Sequence, residues 1–325
     1  MNNIYSKTFL DHFVNPRNIG QLRDPDGYAK IGDPSCGDFI EVWLRIKNDI
    51  ISDFKYKVFG CGGAIATTSV VSELAMGKHI KEAIRLTDDD VIEALRGIPE
   101  NKAHCSLLGI KALRAAVADY LIKENHKKYQ QRIQEYKRAG YDIPEHRKAL
   151  VKQLRNLPPQ ANVLDLGTGK GHLALAIARQ GWHCVSVDIS SKELYFARLN
   201  AIYFQLDDKI ELKQQDARQL EFLENSFDAV LCADMVHHLA QPSAVFSEMV
   251  RVCQQNGLIA ISDLNEKGKE IIEHLLQQEE KYHPTLGWEF EEIKKWFELK
   301  GAEAQIIEYA CENFLIARFN HQKLK

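Results

Sequence analysis

Three cysteines in the first half of the chain lie in turn-like sequence beside other groups that can bind a metal. They are Cys36 in GDPSCGD, Cys61 in FGCGGA and Cys105 in KAHCSLLG, with Asp38 and His104 within two residues of a cysteine. Cys61 and Cys105 each precede a predicted helix, whose N-terminal amides favour the thiolate that binds metal or attacks sulfur. The cysteine spacings match no short zinc-finger pattern. Three thiolates and a harder fourth ligand nevertheless suit zinc or a labile iron-sulfur cluster.

A second set of chemically suited residues follows an apolar strand in the other half. In Asp165-Leu-Gly-Thr-Gly-Lys-Gly171 the glycines lie where a strand turns into a helix, so a ligand can approach the backbone at a helix N-terminus. The G-x-G-x-G spacing differs from the dinucleotide fingerprint, which would have its third glycine at His172. Asp188 closes the next strand about 20 residues further on, where a carboxylate can accept both hydroxyls of a ribose. The pattern predicts a nucleotide-type site.

The glycines around Cys61 raise the question of whether VFGCGGAIATTS, residues 58–69, holds a phosphate or displays a thiol. The loop at 167–171 is better placed for a nucleotide. We therefore interpret Gly60, Gly62 and Gly63 as clearing space around the Cys61 thiolate and whatever it coordinates.

The elements that must carry the cysteines mix strands and helices. Residues 39–59 alternate apolar and polar side chains and turn at Asn48-Asp49, which predicts an antiparallel hairpin with one solvated face. Apolar side chains at helical spacing predict a helix from Ala64 to Met76 and a longer one through Leu107 and Leu121. The first half is therefore predicted to be an α+β domain with an antiparallel sheet.

After Pro159 short apolar strands alternate with helices. The strands are predicted at ANVLDLG, HCVSVDIS, KIELKQQD, FDAVLCAD and LIAISDL, with a helix that ends near Gly257 before the last of them. Strand and helix repeated at this spacing predict a doubly wound parallel sheet, an α/β Rossmann-like fold. Four cysteines in or beside these apolar segments are predicted to be buried core residues: Cys184, Cys232, Cys253 and Cys311.

Between the halves, residues 121–155 carry ten Lys or Arg against four acidic residues. Tyr129, Ile133 and Tyr136 form a narrow apolar stripe, which favours a bridging helix over a disordered linker. We interpret the basic run as a solvated helix face rather than an RNA-binding patch, because no aromatic platform accompanies it. The predicted organisation is a domain at 1–125, a basic helical linker at 126–143 and a second domain at 144–325.

The overall composition is that of an ordinary globular protein. Its 42 Lys and Arg against 45 Asp and Glu give a net charge of -3, so no global field indicates nucleic acid or an anionic membrane. The sequence has neither a signal-peptide pattern nor an apolar run of membrane-spanning length. We therefore expect a cytoplasmic location, no membrane partner, and reducing conditions in which the seven cysteines serve as core residues, metal ligands or nucleophiles.

The second half resembles the class I S-adenosylmethionine-dependent methyltransferases, especially the branch that acts on quinones and other small molecules. From about Pro144 to Phe319 the motifs D-x-G-x-G-x-G, V-D-I-S, D-A-x-x-L-x-F, x-S-F-D-x-V and x-H-H-L occur in family order. The resemblance implies S-adenosylmethionine as cofactor and a small-molecule methyl acceptor. Because this cofactor is a sulfonium cation without phosphates, carboxylates suit it better than a cluster of cations.

The resemblance also assigns roles to ten residues of the cofactor site. The methionine end falls to Asp165, Gly167, Thr168, Gly169 and Gly171, the ribose to Asp188, the adenine to Ile189, Asp216 and Ala217, and the methionine amino group to Asp234. Lys170 departs from the charge pattern, since a cation beside the loop would repel the ligand unless its side chain points outward.

Catalysis of methyl transfer needs few side chains, because an in-line displacement is accelerated mainly by proximity and orientation. His237 and His238 are the candidates for deprotonating the acceptor, the alternative being a structural histidine pair. The segment that begins at Tyr282 resembles the family's variable substrate region, and Tyr282, His283 and Trp288 are candidates to line it.

Residues 4 to about 125 resemble the iron-sulfur cluster assembly scaffold family of the NifU N-terminal, or IscU, type. The matching stretches are YSKTFLDHFVNPRNIG, GDPSCGD, FGCGGAIATTSVVSELAMGK and IPENKAHCSLLGIKAL. The resemblance implies that Cys36, Asp38, Cys61, His104 and Cys105 form the metal site, which would hold a labile 2Fe-2S cluster or zinc. It also implies a cysteine desulfurase and cluster-recipient proteins as partners.

One departure concerns a further partner. The family's chaperone-recognition loop reads L-P-P-x-K, whereas this chain has Ile98-Pro-Glu-Asn-Lys102. Without the second proline part of a preformed extended peptide is lost, which puts recognition by a dedicated Hsp70-type chaperone in doubt.

The leading hypothesis is a fusion of a non-enzymatic cluster scaffold with a methyltransferase that methylates a small molecule, with a sulfur- or metal-related acceptor as a conjecture. One alternative is a scaffold joined to a cofactor-sensing or partner-binding module without turnover. Another is an RNA methyltransferase with a zinc-bound accessory domain, which would use the basic run at 121–155.

Overall fold

The computed structural model describes residues 5–32, 39–98, 103–154, 156–278 and 288–319, and within 103–107 it describes the backbone only. Internal contacts divide the chain into two compact units, Met1–Glu124 and Asn125–Lys325. The first unit has a three-stranded sheet and the second a seven-stranded one. Across the described residues, we find no helix with the length and apolar character needed to span a membrane.

The first unit combines one small sheet with several helices, in keeping with the predicted α+β class. Its elements are α1 (Lys7–Val14), β1 (Gly27–Gly32), β2 (Phe39–Lys47), β3 (Ile50–Phe59), α2 (Gly62–Ala75), α3 (Ile80–Ala83), α4 (Asp88–Ala94) and the long helix α5 (Ala103–Arg138), which ends in the second unit.

The predicted hairpin is confirmed as the pair β2 and β3. Asn48 and Asp49 have φ angles of 50° and 60°, as a two-residue turn with left-handed residues requires. Ile40, Val42 and Leu44 lie on one strand face and are fully buried, so the alternation in sequence marks the core side. Strand β1, which sequence patterning did not predict, pairs with the other edge of β2 in antiparallel fashion.

The second unit alternates strands and helices along most of its length. Its elements are α6 (Ile143–Val151), β4 (Asn162–Leu166), α7 (His172–Ala178), β5 (His183–Asp188), α8 (Ser191–Tyr203), β6 (Ile210–Gln214), β7 (Phe227–Ala233), α9 (Ser243–Val252), β8 (Cys253–Leu264), α10 (Glu266–Gln278), α11 (Phe290–Leu299), β9 (Ala302–Tyr309) and β10 (Glu312–Phe319), with 3₁₀ turns at Lys152–Leu154 and Val236–His238.

The strand order β6-β5-β4-β7-β8-β10-β9 confirms a Rossmann-like sheet. Strands β4 to β8 run parallel, and chain order reverses direction between β4 and β7, where ligands bind in folds of this type. The five strands predicted from sequence are these parallel ones, and beyond them the described sheet continues with antiparallel pairing of β10 to both β8 and β9. A tight turn at Ala310, with φ of 52°, joins β9 to β10 and leaves no room for the crossover that parallel pairing needs.

Two further predictions concern the interior of this sheet. Helix α9 ends at Val252 rather than near Gly257, because the chain already pairs with β7 from Cys253 onward. The four cysteines predicted to be core residues are at most 3% exposed, which confirms that prediction: Cys184, Cys232, Cys253 and Cys311.

Candidate functional site

Cys61 is the one predicted metal ligand whose side chain the structure describes. It is the N-cap residue of α2, with extended backbone and a half-buried side chain. The unsatisfied amides and the dipole at a helix N-terminus favour a thiolate at this place. The helix begins at Gly62, two residues earlier than predicted, so Cys61 directly precedes it.

For the other four predicted ligands the structure describes no side chain. Cys36 and Asp38 lie outside the described residues, and so does most of the loop from Ile98 to Lys102. Helix α5 begins at Ala103, so His104 and Cys105 lie in its first turn rather than before it, with side chains outside the described set. Their assembly around Cys61 therefore stays a prediction.

Gly62 lies against an aromatic side chain of another helix. A Cβ atom built at this position would lie 2.9 Å from Cε2 of Phe13, a distance at which the ring must move. The absent side chain of Gly62 thus makes room for Phe13 of α1, and its role in clearing space around the thiolate stays a prediction.

In the second unit a cavity of about 580 Å³ opens at the carboxyl ends of the parallel strands. It is lined by two groups of residues, one following β4 to β6 and one following β7. These are Gly167, Val187, Asp188, Ile189, Gln215, Asp216, Ala217 and Arg218, and Met235, His238, Leu239, Ala240, Gln241, Ala244 and Val245. Six of the residues predicted from sequence are among them, and the other predicted residues of this site lie beside or beneath the lining.

The glycine-rich loop has left-handed backbone at all three glycines, with φ angles between 50° and 82°. At Gly167 a Cβ would lie 2.8 Å from Sδ of Met235, and at Gly171 it would lie 3.2 Å from Cβ of Ala197. These two glycines therefore allow close packing of neighbouring elements as well as the turn. Thr168 is buried, and its hydroxyl contacts that of Ser186 at 2.7 Å.

Asp188 ends β5 at the cavity wall with its carboxylate held by two backbone amides. Gly169 N–H donates to Oδ2 at 2.9 Å and Ser190 N–H donates to Oδ1 at 2.8 Å. A carboxylate oxygen accepts more than one hydrogen bond, so both oxygens retain capacity for a ligand. Ile189 next to it is 65% exposed and offers an apolar surface.

Asp216 lines the cavity but is engaged by a cation. Arg218 donates to both of its carboxylate oxygens, with Nη2 to Oδ2 at 2.6 Å and Nε to Oδ1 at 3.0 Å. This hydrogen bonding lowers the pKa of Asp216 below its ordinary value. Ala217 is partly buried and packs against the core of the sheet, so the residues assigned to the adenine lie on a side of the cavity that carries an ion pair.

Asp165 and Asp234 lie at the ends of the neighbouring strands β4 and β7, and each has a carboxylate oxygen without a partner. Asp165 is 1% exposed, and its Oδ2 accepts from Ser186 Oγ at 2.7 Å. Asp234 has left-handed backbone with φ of 52°, and its Oδ2 accepts from the Tyr141 hydroxyl at 2.7 Å. Oδ1 of each is buried with no hydrogen-bond partner among the described residues.

Such unpartnered acceptors fit a cationic donor, because an unsatisfied buried carboxylate oxygen costs free energy until a donor reaches it. Burial raises the pKa of Asp165 to about 7. A ligand ammonium group would supply both hydrogen-bond donors and the countercharge. These carboxylate acceptors therefore fit the ammonium group of a cofactor that carries an amino acid.

The two candidate bases differ in their surroundings. His237 is buried, its Nδ1 contacts Asp263 Oδ1, and its backbone N–H donates to Asp263 Oδ2 at 2.9 Å. Burial lowers the pKa of His237, but the hydrogen bond to Asp263 and the negative charges of Asp263 and Asp234 together outweigh burial, so the pKa lies above its ordinary value. His238 is exposed and lines the cavity. Its position suits contact with a substrate, whereas His237 anchors the loop.

Sequence reasoning missed the charged side chains beneath Asp234. Arg147 was counted in the basic run and interpreted as solvated, but it is 4% exposed and contacts both Asp234 and Glu312. The available signal was helical spacing, because Ile143, Arg147 and Leu150 share the buried face of α6. A cation on a buried helix face requires buried anions, and the chain supplies them from β7 and β10.

Other predicted features have definite places. Lys170 is directed outward as expected, with Nζ 2.8 Å from Glu193 Oε2. Trp288 packs on Phe246 with ring centroids 5.9 Å apart, at the edge of the core rather than in the cavity lining described above. Tyr282 and His283 lie outside the described residues.

The glycine-rich loop is also linked to α5 through Asn200, by two partly buried hydrogen bonds. Asn125 Nδ2 donates to Asn200 Oδ1 at 2.8 Å, and Asn200 Nδ2 donates to the Lys170 carbonyl at 2.9 Å. Tyr129 stacks on His172 with centroids 4.7 Å apart. Tyr129 thus packs within the second unit, as its apolar character in the predicted bridging helix suggests.

Comparison with known proteins distinguishes the two parts of the chain. Residues 4–127 match the family described as NifU-like N terminal domain, and residues 164–261 match the family described as Methyltransferase domain. The first part is 48% identical over 120 residues to iron-sulfur cluster assembly scaffold protein IscU 1 of Archaeoglobus fulgidus, covering 37% of this chain and 78% of that protein. It is 39% identical over 127 residues to IscU of Escherichia coli, covering 38% and 98%.

Solved structures similar to the chain include a SAM-dependent methyltransferase from Methanosarcina mazei, at 20% identity and a TM-score of 0.43, covering 51% of this chain and 96% of that one. Another is a SAM dependent methyltransferase from Aquifex aeolicus, at 18% identity and a TM-score of 0.42, covering 53% and 89%. At these TM-scores the similarities carry no argument about function. By its first part the chain belongs to the IscU-type family of iron-sulfur cluster assembly scaffold proteins, and its second part contains a match to a methyltransferase domain.

Proposed function

We propose that the chain is a two-function protein, in which residues 1–125 assemble a labile iron-sulfur cluster and residues 144–325 methylate a small molecule with S-adenosylmethionine. Residues 126–143 form the helical linker of this proposal. The cluster is cargo, built from iron and from sulfur that a cysteine desulfurase delivers, and it leaves for recipient proteins. Relatives named as cluster assembly scaffolds support the first half of the proposal.

The observation that carries the methyltransferase half is the pair of unpartnered carboxylate oxygens at the ends of β4 and β7. Asp165 and Asp234 would accept from the ammonium group of the cofactor, while Asp188 would accept from the ribose hydroxyls. Ile189, Asp216 and Ala217 would border the adenine. S-adenosylmethionine supplies a methyl group on a positively charged sulfur, and a site with several carboxylates attracts such a cation.

The protein's own part in the reaction is orientation and proton removal. Backbone amides of Gly169 and Ser190 hold the Asp188 carboxylate in one orientation, which reduces the entropy lost when the ligand binds. His238 at the cavity wall would take the proton from the acceptor as it is methylated. Asp263 fixes His237, so the turn that carries His238 keeps its position.

Calorimetric titration with S-adenosylhomocysteine tests the cofactor assignment. We expect Asp188→Ala to weaken binding about 100-fold, because two hydrogen bonds to a charged acceptor are lost. Asp208→Ala is the matched control, since Asp208 is an exposed aspartate in the turn before β6, and it should bind like the wild type. Unchanged binding by Asp188→Ala would overturn the assignment. An acceptor screen that follows methyl transfer from labelled cofactor then tests turnover.

The scaffold half is tested by metal and acid-labile sulfide analysis of anaerobically purified protein. Iron and sulfide in equal amounts support a cluster, whereas stoichiometric zinc without sulfide would replace it with a structural metal site. A sulfur- or metal-related methyl acceptor is the conjecture that joining the two activities suggests, and the acceptor screen should include compounds of that class.

A further inference from the structure

A buried ionic cluster lies beneath the cavity, and we define it as Tyr141, Arg147, Asp234 and Glu312. Arg147 Nη1 donates to Glu312 Oε1 at 2.7 Å, and Arg147 Nη2 donates to Asp234 Oδ2. The Tyr141 hydroxyl lies within hydrogen-bond reach of both carboxylates. Three of the four residues are at most 4% exposed, while the Asp234 side chain is 27% exposed.

The ionic cluster joins elements that are far apart in sequence. Arg147 comes from α6, Asp234 from the end of β7, and Glu312 from the start of β10. Ser262 of β8 donates its hydroxyl to the other oxygen of Glu312. The guanidinium of Arg147 therefore bridges the carboxylates of Asp234 and Glu312 near the strand ends that line the cavity. The planar, forked shape of a guanidinium suits such bridging.

Charge counting shows that the ionic cluster is not neutral when both carboxylates are ionised. Two carboxylates face one guanidinium, and the single proton of the Tyr141 hydroxyl can be donated to only one of them at a time. Glu312 is fully bonded by Arg147, Tyr141 and Ser262. Asp234 uses only Oδ2 in the cluster, and its Oδ1 has no partner among the described residues.

We propose that Arg147 is a positioning residue for the cofactor: it holds Asp234 by Oδ2, so that Oδ1 is the oxygen left to accept from the ligand ammonium group, and it shares its charge with Glu312. This inference rests on the proposed function. Glu312 competes with Asp234 for the same guanidinium and so limits how readily Asp234 ionises.

Asp234 also interacts with groups outside the ionic cluster. The titratable or charged groups that face it are Arg147, Tyr141, Glu312, Asp263 and His237. Burial raises the pKa of Asp234 above its ordinary value, Arg147 opposes this rise, and Glu312 adds to it. Binding of an ammonium group should therefore strengthen as pH rises and Asp234 loses its proton.

Two substitutions should move this pH dependence in opposite directions. Glu312→Gln removes the competing negative charge, so Arg147 pairs with Asp234 alone. Asp234 should therefore ionise at lower pH. Arg147→Lys keeps the charge but loses the planar fork that reaches both carboxylates, so Asp234 should ionise at higher pH. Arg147 also lowers the pKa of Asp165, whereas Glu312 is not among the groups that shift it. The shift in Glu312→Gln therefore reports Asp234, and the shift in Arg147→Lys reports both carboxylates.

The experiment measures calorimetric Kd values of the full chain for S-adenosylhomocysteine and for 5′-methylthioadenosine, which lacks the amino acid end, between about pH 5.5 and pH 9. We expect the midpoint for S-adenosylhomocysteine to fall in Glu312→Gln and rise in Arg147→Lys, with affinities about tenfold apart at the acidic end. Binding of 5′-methylthioadenosine should not change between the variants. Arg251→Lys is the matched control, since Arg251 pairs with Glu248 away from the cavity lining.

Each outcome decides a definite point. Midpoints that stay in place, or equal changes for both nucleosides, would overturn the positioning role while leaving the cofactor site intact. If neither nucleoside binds the wild type, the proposed function fails and this inference fails with it. Should circular dichroism show that Arg147→Lys does not fold, the direction of the shift in Glu312→Gln decides alone.

Discussion

The two units present their reactive groups in contrasting ways. In the first, the thiol of Cys61 lies at the start of a helix, where the thiolate form of a cysteine is favoured in general, and it is only half buried. In the second, Asp165 is almost completely buried, and Asp234 is held by residues from two other elements. The contrast suits a thiolate that must exchange its cargo and carboxylates that must hold one ligand in one orientation.

The largest expected effect is loss of cluster assembly in the first unit without any change in ligand binding by the second. Cys61→Ala should abolish the visible absorption that develops on anaerobic reconstitution with iron, cysteine and a desulfurase, because a cluster needs every thiolate ligand. Affinity for S-adenosylhomocysteine should stay unchanged. Cys253→Ala, at a buried cysteine of the second unit, is the control for loss of any thiol. Full cluster formation by Cys61→Ala would remove Cys61 from the ligand set.

The next prediction tests whether the buried carboxylate of Asp165 favours ligand binding but lowers the free energy of unfolding. The pKa of Asp165 is raised by burial from 3.8 to about 7. A raised pKa means that stability is full below about pH 4 and is lost as pH rises toward 7. Asp165→Asn does not titrate, so above pH 7 it should exceed the wild type in unfolding free energy by up to roughly 4 kcal/mol.

Urea denaturation at acidic and alkaline pH measures this difference, and Asp208→Asn serves as the exposed control. The same Asp165→Asn protein should bind S-adenosylhomocysteine about tenfold more weakly at alkaline pH, because an ionised acceptor is lost. Equal stability of mutant and wild type at high pH would show that Asp165 is not the strained group that its burial indicates.

Two smaller effects, one in each unit, test whether one unit can be destabilised without loss of the other unit's activity. A Cβ at Gly27 would lie 2.3 Å from the Ala116 carbonyl oxygen, and one at Gly268 would lie 2.1 Å from the Cys311 carbonyl oxygen. Each Gly→Ala change should cost about 3 kcal/mol of unfolding free energy, because backbone must move. Gly27→Ala should impair cluster assembly alone, and Gly268→Ala should impair nucleoside binding alone. Joint loss of both activities in either variant would contradict independent units.

Local patterns explain why some of this architecture could be predicted from sequence. The β2 and β3 hairpin follows from alternation and from the turn at Asn48-Asp49, since both signals act between neighbouring residues. The glycine-rich loop and Asp188 were found because glycine at a strand end and a carboxylate at the next strand end are features of local sequence.

The remainder depends on pairs that sequence spacing does not reveal. Arg147 finds its counter-ions at Asp234 and Glu312, 87 and 165 residues away, and no helical or strand period encodes that distance. The sequence around Gly62 indicates its neighbour Cys61, but it does not reveal that the Phe13 ring also lies against this glycine. Strand β1 is short and begins and ends with glycine, so alternation gave no signal.

The place of β10 within the sheet has a consequence for synthesis of the protein. This strand lies between β8 and β9, although it follows both in chain order, and it carries the carboxylate that completes the ionic bridge to Arg147. During translation the second unit cannot complete this part of its sheet or the bridge between Asp234, Arg147 and Glu312 until Glu312 has left the ribosome. The first unit emerges earlier, so ribosome-bound chains that stop short of β10 should already contain the complete sequence of the first unit together with an incomplete sheet of the second.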